Sequence, residues 1–101
     1  MADIIVTETQ DQTTVRVHAG DTLVIRLPET PTTGYRWAPL QGTPESDAFV
    51  PGTSSVGGAG VRIFRFPMKS ADAATLELGL AREWEKEPSA KRFKVDVRVL
   101  R

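Results

Sequence analysis

The final segment of the chain, residues 92–100, alternates apolar and polar side chains, and this period of two constrains the fold more than any other feature. The side chains on its apolar face are Phe93, Val95, Val97 and Val99. Successive side chains of a strand point to opposite faces, so the pattern is typical of a strand with one face in a core and the other in water. Such a strand needs a second layer to cover its apolar face.

Shorter segments with the same period predict further strands upstream. We expect them over residues 4–8, 13–18, 22–27, 35–40, 61–67 and 74–81, with one short strand around Phe49 in an otherwise irregular region, residues 41–60. Pro28 is expected to end the third strand, Pro39 indicates a strand terminus or a sheet edge, and Arg62 is expected near the rim. A helix is the competing interpretation of residues 74–81, which are rich in Ala, Leu and Glu, but their period is two.

About seven short strands, with turn residues between them and no convincing helix, predict an all-β fold. The expected architecture is an immunoglobulin-like antiparallel β-sandwich that spans residues 1–101 as a single domain. Tyr35 and Trp37 lie two residues apart and therefore share one strand face, with Arg36 on the other. Trp37 is the expected central residue of the core.

Charge and cysteine content exclude several classes of function. Thirteen basic and thirteen acidic side chains give a formal net charge of zero, so the chain lacks the electrostatic footprint of a protein that binds nucleic acid or a membrane. Without cysteine it has no disulfide, no thiolate nucleophile and no cysteine-ligated metal.

We expect a soluble monomer. No signal peptide is evident, so the expected compartment is the cytoplasm, or the periplasm or exterior if a leader has been removed.

Motifs of catalysis and of cofactor binding are missing from the sequence. It contains no HExxH, no GxSxG and no Walker-type glycine loop, so we expect neither an enzyme nor a cofactor or metal site. The one histidine, His18, is expected to be a solvated strand residue, because no second histidine exists to complete a metal site. Glu83, Glu85 and Glu87 alternate with other residues and are expected in a solvated loop, since nothing apolar surrounds them.

Three unusual loops stand out instead. The first contains Pro31, Thr32, Thr33 and Gly34, the second Val56, Gly57, Gly58, Ala59 and Gly60, and the third Arg82, Glu83, Trp84 and Glu85. Pro31 fixes its own φ and Gly34 allows a positive φ, so the two threonines lie between two residues with special backbone conformations. Alternate connections of an immunoglobulin-like sandwich gather at one end, so the three loops can form one edge.

Each loop also has a simpler interpretation. The first could be only a tight turn, the glycine cluster could be flexible filler, and Trp84 could fold back over the core. An exposed tryptophan between charged neighbours is nevertheless a good candidate for an interface hot spot.

At these loops the sequence resembles the chagasin family, protein inhibitors of papain-like cysteine proteases with an immunoglobulin-like fold. The family's first loop reads Asn-Pro-Thr-Thr-Gly-aromatic-x-Trp, which residues 30–37 match at every named position but the first. Its second loop is a glycine cluster that runs into an x-Phe-x-Phe strand, similar to residues 57–60 followed by Phe64 and Phe66. Its third reads Arg-Pro-Trp-Glu, where this chain has Glu83 in place of proline.

The resemblance covers roughly residues 20–100 and implies a function with its site. It implies reversible inhibition by steric occupation of the protease cleft, with Thr32 and Thr33 beside the catalytic cysteine and histidine of the protease and the other two loops flanking them. Trp84 would pack on an aromatic surface of the protease, and Arg82 would pair with polar groups at the rim. The implied protease-binding residues are Thr30, Pro31, Thr32, Thr33, Gly34, Tyr35, Val56, Gly57, Gly58, Ala59, Gly60, Arg82, Glu83, Trp84 and Glu85.

Three departures from the family pattern bear on affinity and target choice. Thr30 replaces an asparagine that could brace the first loop, Ala59 stands where glycine is frequent, and Glu83 replaces a proline with its fixed φ. Glu83 also keeps an alternative function open, a non-inhibitory immunoglobulin-like module that binds a protein or carbohydrate partner with the same loops.

Overall fold

The computed structural model of the protein describes residues 2–30, 33–52, 59–69, 73–82, 84 and 91–100. Within these ranges the chain forms eight strands, namely β1 (Asp3–Thr7), β2 (Thr13–His18), β3 (Thr22–Glu29), β4 (Tyr35–Gln41), β5 (Ser46–Pro51), β6 (Gly60–Pro67), β7 (Ala73–Arg82) and β8 (Lys91–Leu100). A short 3-10 turn, Glu8–Gln10, lies between β1 and β2. Within the same ranges, no helix has the length and apolar character needed to cross a bilayer.

The strands form two four-stranded sheets that enclose one apolar core. The first sheet has the order β1-β3-β6-β5 and the second the order β2-β8-β7-β4. The predicted class, an all-β sandwich of immunoglobulin-like kind, is confirmed. Three local predictions are confirmed with it, since residues 74–81 lie in strand β7, Pro39 lies in the edge strand β4, and the short strand around Phe49 is β5.

Strand number and strand direction differ from the prediction. The described residues form eight strands rather than about seven, and β1 lies parallel to β3 while β2 lies parallel to β8. The other pairs in the described part of the chain are antiparallel. After β1 the chain crosses to the second sheet and after β2 it returns, so two reversals of direction leave β3 parallel to β1.

Strand β3 is longer than the sequence indicated. It continues through Pro28 to Glu29, and Pro28 pairs with Val61 of β6, so the prediction that Pro28 ends the strand is wrong. The pairing of β1 with β3 ends at Arg26, which leaves Pro28 with a neighbouring strand on one side only. A residue without an N–H group is tolerated at such an open edge.

The core is built from alternate residues of both sheets. Its largest fully buried side chains are Val6, Val17, Leu23, Ile25, Leu27, Phe64, Leu78, Phe93, Val95 and Val97. Trp37 is buried among them, as expected, and its indole Nε1 donates a hydrogen bond of 2.9 Å to the carbonyl oxygen of Pro28. Because Trp37 lies in the second sheet and Pro28 in the first, this bond ties the two layers together.

At the opposite end of β3, the buried Asp21 closes the turn between β2 and β3. Its carboxylate accepts the backbone N–H groups of His18 at 2.8 Å and of Ala2 at 3.0 Å. The bond from His18, with that from Ala2, outweighs the opposing effect of burial and lowers the pKa of Asp21 below its usual value. The charged carboxylate is therefore the form that the fold prefers.

The Asp21→Asn variant tests this preference through its pH dependence. A depressed pKa in the folded state contributes stability above the unfolded pKa of about 3.9, and this contribution is lost as the pH falls through the folded value. Wild type is expected to be more stable than the variant at neutral pH, by a margin that shrinks below about pH 4. Urea denaturation at several pH values between about 7 and about 2.5 measures the difference in unfolding free energy, with Asp3→Asn as the surface control. A margin that stays constant or grows on acidification would contradict the assignment.

Candidate functional site

The strands that carry the three loops end together at one end of the sandwich. In the first sheet, Glu29 at the end of β3 pairs with Gly60 at the start of β6. In the second sheet, Tyr35 at the start of β4 pairs with Arg82 at the end of β7. We refer to the described part of this end as the loop edge, which consists of Thr30, Thr33, Gly34, Tyr35, Ala59, Gly60, Arg82 and Trp84.

The remaining residues of the predicted site lie outside the described residues. They are Pro31, Thr32, Val56, Gly57, Gly58, Glu83 and Glu85.

Thr33 braces the first loop from within. Its backbone N–H donates to the carbonyl oxygen of Thr30 at 3.1 Å, and its hydroxyl donates to the same oxygen at 2.7 Å. The hydroxyl also accepts the backbone N–H of Tyr35 at 3.3 Å. A local turn of this kind is the structure that threonine hydroxyls favour outside helices and sheets. Thr33 thus supplies a brace for a loop that lacks the family's asparagine at position 30.

Gly34 has a positive φ of 81°, a conformation that the sequence indicated glycine would allow at this position. A Cβ atom placed on Gly34 would lie 3.9 Å from the Arg82 side chain, an ordinary contact distance. Space therefore does not require glycine here, but the left-handed backbone does, because it is unfavourable for residues that carry a Cβ.

Arg82 links the first loop to the third. The centre of its guanidinium lies 4.5 Å from the centroid of the Tyr35 ring and 5.6 Å from that of the Trp84 ring. Both distances are those of cation–π contacts. The family resemblance implies that Arg82 pairs with polar groups at the rim of the protease, whereas the structure also places it between two aromatic side chains of this chain. Trp84 does not fold back over the core, since 74% of its surface is exposed.

Gly60 closes the base of the second loop by close packing. A Cβ atom there would overlap the carbonyl oxygen of Val50 and would lie 2.7 Å from the Phe49 ring. The neighbouring Gly52 donates its N–H to Ala59 at 2.9 Å across the same base. The glycine at position 60 is therefore needed for the strand β5 to approach β6.

A buried ion pair that sequence reasoning missed lies directly beneath the loop edge. The Arg62 guanidinium binds the Glu29 carboxylate through Nη2 at 2.7 Å and through Nε at 3.1 Å, and it reaches Asp47 at 3.0 Å. Arg62 was expected near the rim, but it is buried and points inward. Burial disfavours its charge, yet the hydrogen bonds to Glu29 and Asp47 outweigh burial and raise the pKa of Arg62 above its usual value.

The period of two could have found this pair. Glu29 continues the inward series Leu23, Ile25 and Leu27 of β3, and Arg62 occupies the inward register of Phe64 and Phe66 in β6. A charged residue in an inward series signals a buried polar contact, because an unpaired charge there would be strongly unfavourable.

Of the residues expected to be solvated, His18 is among the described residues, whereas Glu83, Glu85 and Glu87 lie outside them. The His18 side chain is exposed, as predicted, and its ring Nδ1 lies 4.0 Å from a carboxylate oxygen of Asp21. Among the described residues, no group of three or more histidine, aspartate or glutamate side chains is arranged to hold a metal ion.

Comparison with known proteins assigns the chain to a family. The sequence pattern of the chagasin family peptidase inhibitor I42 matches residues 16–99. The chain belongs to this family, which confirms the predicted resemblance and, with it, the function of a cysteine protease inhibitor rather than an enzyme. Comparison with curated protein sequences gives no match.

Three solved structures have a similar fold. The cysteine protease inhibitor EhICP2 from Entamoeba histolytica is 29% identical to this chain and has a TM-score of 0.83. The match covers 98% of this chain and 96% of EhICP2. Amebosin is 22% identical, with coverage of 95% and 96% and a TM-score of 0.75. PbICP-C, solved in complex with falcipain-2, is 14% identical, with coverage of 96% and 88% and a TM-score of 0.61. The last two support the fold alone.

The backbone at Gly34 gives a direct test of the first loop. Gly34→Ala is expected to lower the free energy of unfolding by about 1–2 kcal/mol, because alanine must adopt the left-handed conformation. Gly34→Asn is expected to lose less, since asparagine tolerates that region better. Urea denaturation of both variants measures the difference. Equal losses for the two variants, or no loss for Gly34→Ala, would show that φ at this position is not the constraint.

Proposed function

We propose that this protein is a reversible inhibitor of papain-like cysteine proteases that occludes the active-site cleft with its three loops. The observation that carries this proposal is the common end of the loops, where Arg82 lies between Tyr35 of the first loop and the exposed Trp84 of the third. In this arrangement the first loop enters the cleft, while the loops around residues 56–60 and 82–85 contact the two sides of its mouth.

Rigid loop bases are what such an inhibitor needs. Thr33 is bonded to Thr30 at one end of the first loop, and the N–H of Trp37 is held by Glu29 just beyond the other end. Loops that are ordered before binding lose little conformational entropy when they dock, so more of the interaction energy remains as affinity. An interface of about 1,600 Å² or less can then bind tightly.

The same rigidity accounts for resistance to cleavage. A substrate must adopt an extended geometry in which its scissile carbonyl meets the nucleophile of the protease. Thr33 is hydrogen-bonded to Thr30 and Tyr35, and Gly34 has a positive φ, so residues 33 and 34 do not present the extended backbone of a substrate. The proposed inhibitor therefore fills the cleft without presenting a peptide bond for attack.

Trp84 is the proposed anchor of the third loop. Trp84→Ala is expected to weaken inhibition by about 2 kcal/mol, or about 30-fold in the inhibition constant, because a large exposed aromatic side chain is lost from the interface. Leu100→Ala is the matched control, since Leu100 is also an exposed apolar residue but lies at the opposite end of β8 from the loop edge. An inhibition constant that is unchanged in Trp84→Ala would remove Trp84 from the contact surface.

The proposed function itself is tested by titration of papain and of a cathepsin L-like protease while hydrolysis of a small peptide substrate is followed. Stoichiometric, reversible inhibition with the protein recovered uncleaved is the expected result. Absence of inhibition at micromolar protein (~10 μM) would favour a non-inhibitory binding module built on the same loops.

A further inference from the structure

The interior of the sandwich changes character at its loop end. Inward positions of a sandwich strand are normally apolar, and those of β3 and β6 are apolar until they reach Glu29 and Arg62. The Glu29 side chain is only 1% exposed and that of Arg62 only 11%. A charged layer thus separates the apolar core from the three loops.

This layer links four strands from the two sheets. Arg62 of β6 contacts both carboxylate oxygens of Glu29 in β3: Nη2 and Nε donate to Oε2, and Nε also donates to Oε1 at 3.3 Å. Nη1 of Arg62 donates to Asp47 of β5. Asp47 in turn lies 3.8 Å from Arg36 of β4, which belongs to the second sheet. The exposed fraction of the side chains rises from 1% at Glu29 to 11% at Arg62, 31% at Asp47 and 66% at Arg36. The series therefore runs from the interior to the surface, and negative and positive side chains alternate along it.

Glu29 is also bonded directly to the first loop's far end. Its Oε1 accepts the backbone N–H of Trp37 at 2.7 Å, a contact between the two sheets. Glu29 itself immediately precedes Thr30, so one carboxylate fixes the residue before the loop and a residue just after it. Arg62, which is two residues beyond Gly60, attaches the base of the second loop to the same carboxylate.

Stability alone does not account for such a layer. Moving two charged groups out of water carries a large desolvation penalty, and well-packed apolar residues of similar volume often stabilise a protein as well as a buried ion pair does. An ion pair differs from an apolar pair in direction, because a bidentate guanidinium and carboxylate permit only a narrow range of relative positions. Geometry is therefore the property that the pair contributes.

From these contacts we propose that Glu29 and Arg62 are positioning residues for the inhibitory loops, which they hold at a fixed spacing without touching the protease. This inference rests on the proposed function. Removal of the pair leaves the sandwich folded by its apolar core but lets the bases of the first and second loops move independently. The ordering that the pair provides must then take place during binding, which lowers affinity.

Two double variants test this role without leaving a buried charge unpaired. Glu29→Leu/Arg62→Met replaces the pair with apolar side chains and also removes the acceptor for the Trp37 N–H. Glu29→Gln/Arg62→Met keeps an amide oxygen at that place. Asp3→Asn/Arg65→Gln is the matched control, because Arg65 and Asp3 form an exposed ion pair at 3.2 Å between β6 and β1 in the same sheet.

Inhibition of papain is measured for each variant far below its denaturation midpoint, so that a loss of affinity does not reflect unfolded protein. We expect the Leu/Met variant to inhibit at least about tenfold more weakly than wild type, the Gln/Met variant to lie between them, and the control to match wild type. If the Leu/Met variant does not fold, the comparison of Gln/Met with wild type carries the test. If the Leu/Met variant folds and inhibits as well as wild type, the inference is overturned and the proposed function stays intact. If only the Gln/Met variant folds, the same result for that variant overturns the inference.

Amide hydrogen exchange separates this inference from the proposed function. The N–H groups of Thr33 and Trp37 report on the first loop directly, and that of Val95 reports on the centre of the sandwich. Faster exchange at Thr33 and Trp37 than in wild type, with Val95 unchanged, supports positioning even if wild type inhibits no protease. If wild type inhibits no protease, unchanged exchange at Thr33 and Trp37 in a folded double variant would overturn the positioning role of Glu29 and Arg62.

Discussion

The buried carboxylate of Glu29 is the interaction on which the loop end of the sandwich depends. Its Oε1 accepts the backbone N–H of Trp37 in the second sheet, and both of its oxygens accept hydrogen bonds from Arg62 in the first. The indole of Trp37 returns a hydrogen bond to Pro28, the residue before Glu29. Because these bonds join the ends of β3, β4 and β6, the bases of the first and second loops share a single anchoring point.

The two ends of the same strands thus have different tasks. Below the charged layer, apolar side chains from both sheets supply the burial that keeps a chain of 101 residues folded. At the loop edge, short polar contacts restrict the backbone, and Arg82 makes cation–π contacts with both Tyr35 and Trp84. An inhibitor that acts by shape needs both, since a loosely held loop would lose affinity to ordering.

Much of the fold was predictable because its signals are local. The alternation of apolar side chains found the strands, and Pro39 marked an edge strand correctly. At the site, the positive φ of Gly34 is one that its residue type allows at no steric cost. The parallel neighbours of β3 and β8 were not predictable in this way, because alternation has the same period in parallel and antiparallel strands. The internal hydrogen bonds of Thr33 depend on the loop's exact turn, which no residue type specifies.

By itself, the sequence determined the sandwich class, the buried position of Trp37, the family and the three loops that carry its motifs. Each of these is written in short stretches of chain, where backbone period and residue type are sufficient. Only the tertiary structure decided that Glu29, Asp47 and Arg62 meet under those loops. Glu29 and Arg62 are 33 positions apart, and their pairing depends on the register between β3 and β6, which places two charges at one desolvated point. A buried ion pair is a property of that shared location, and no single segment of the sequence contains it.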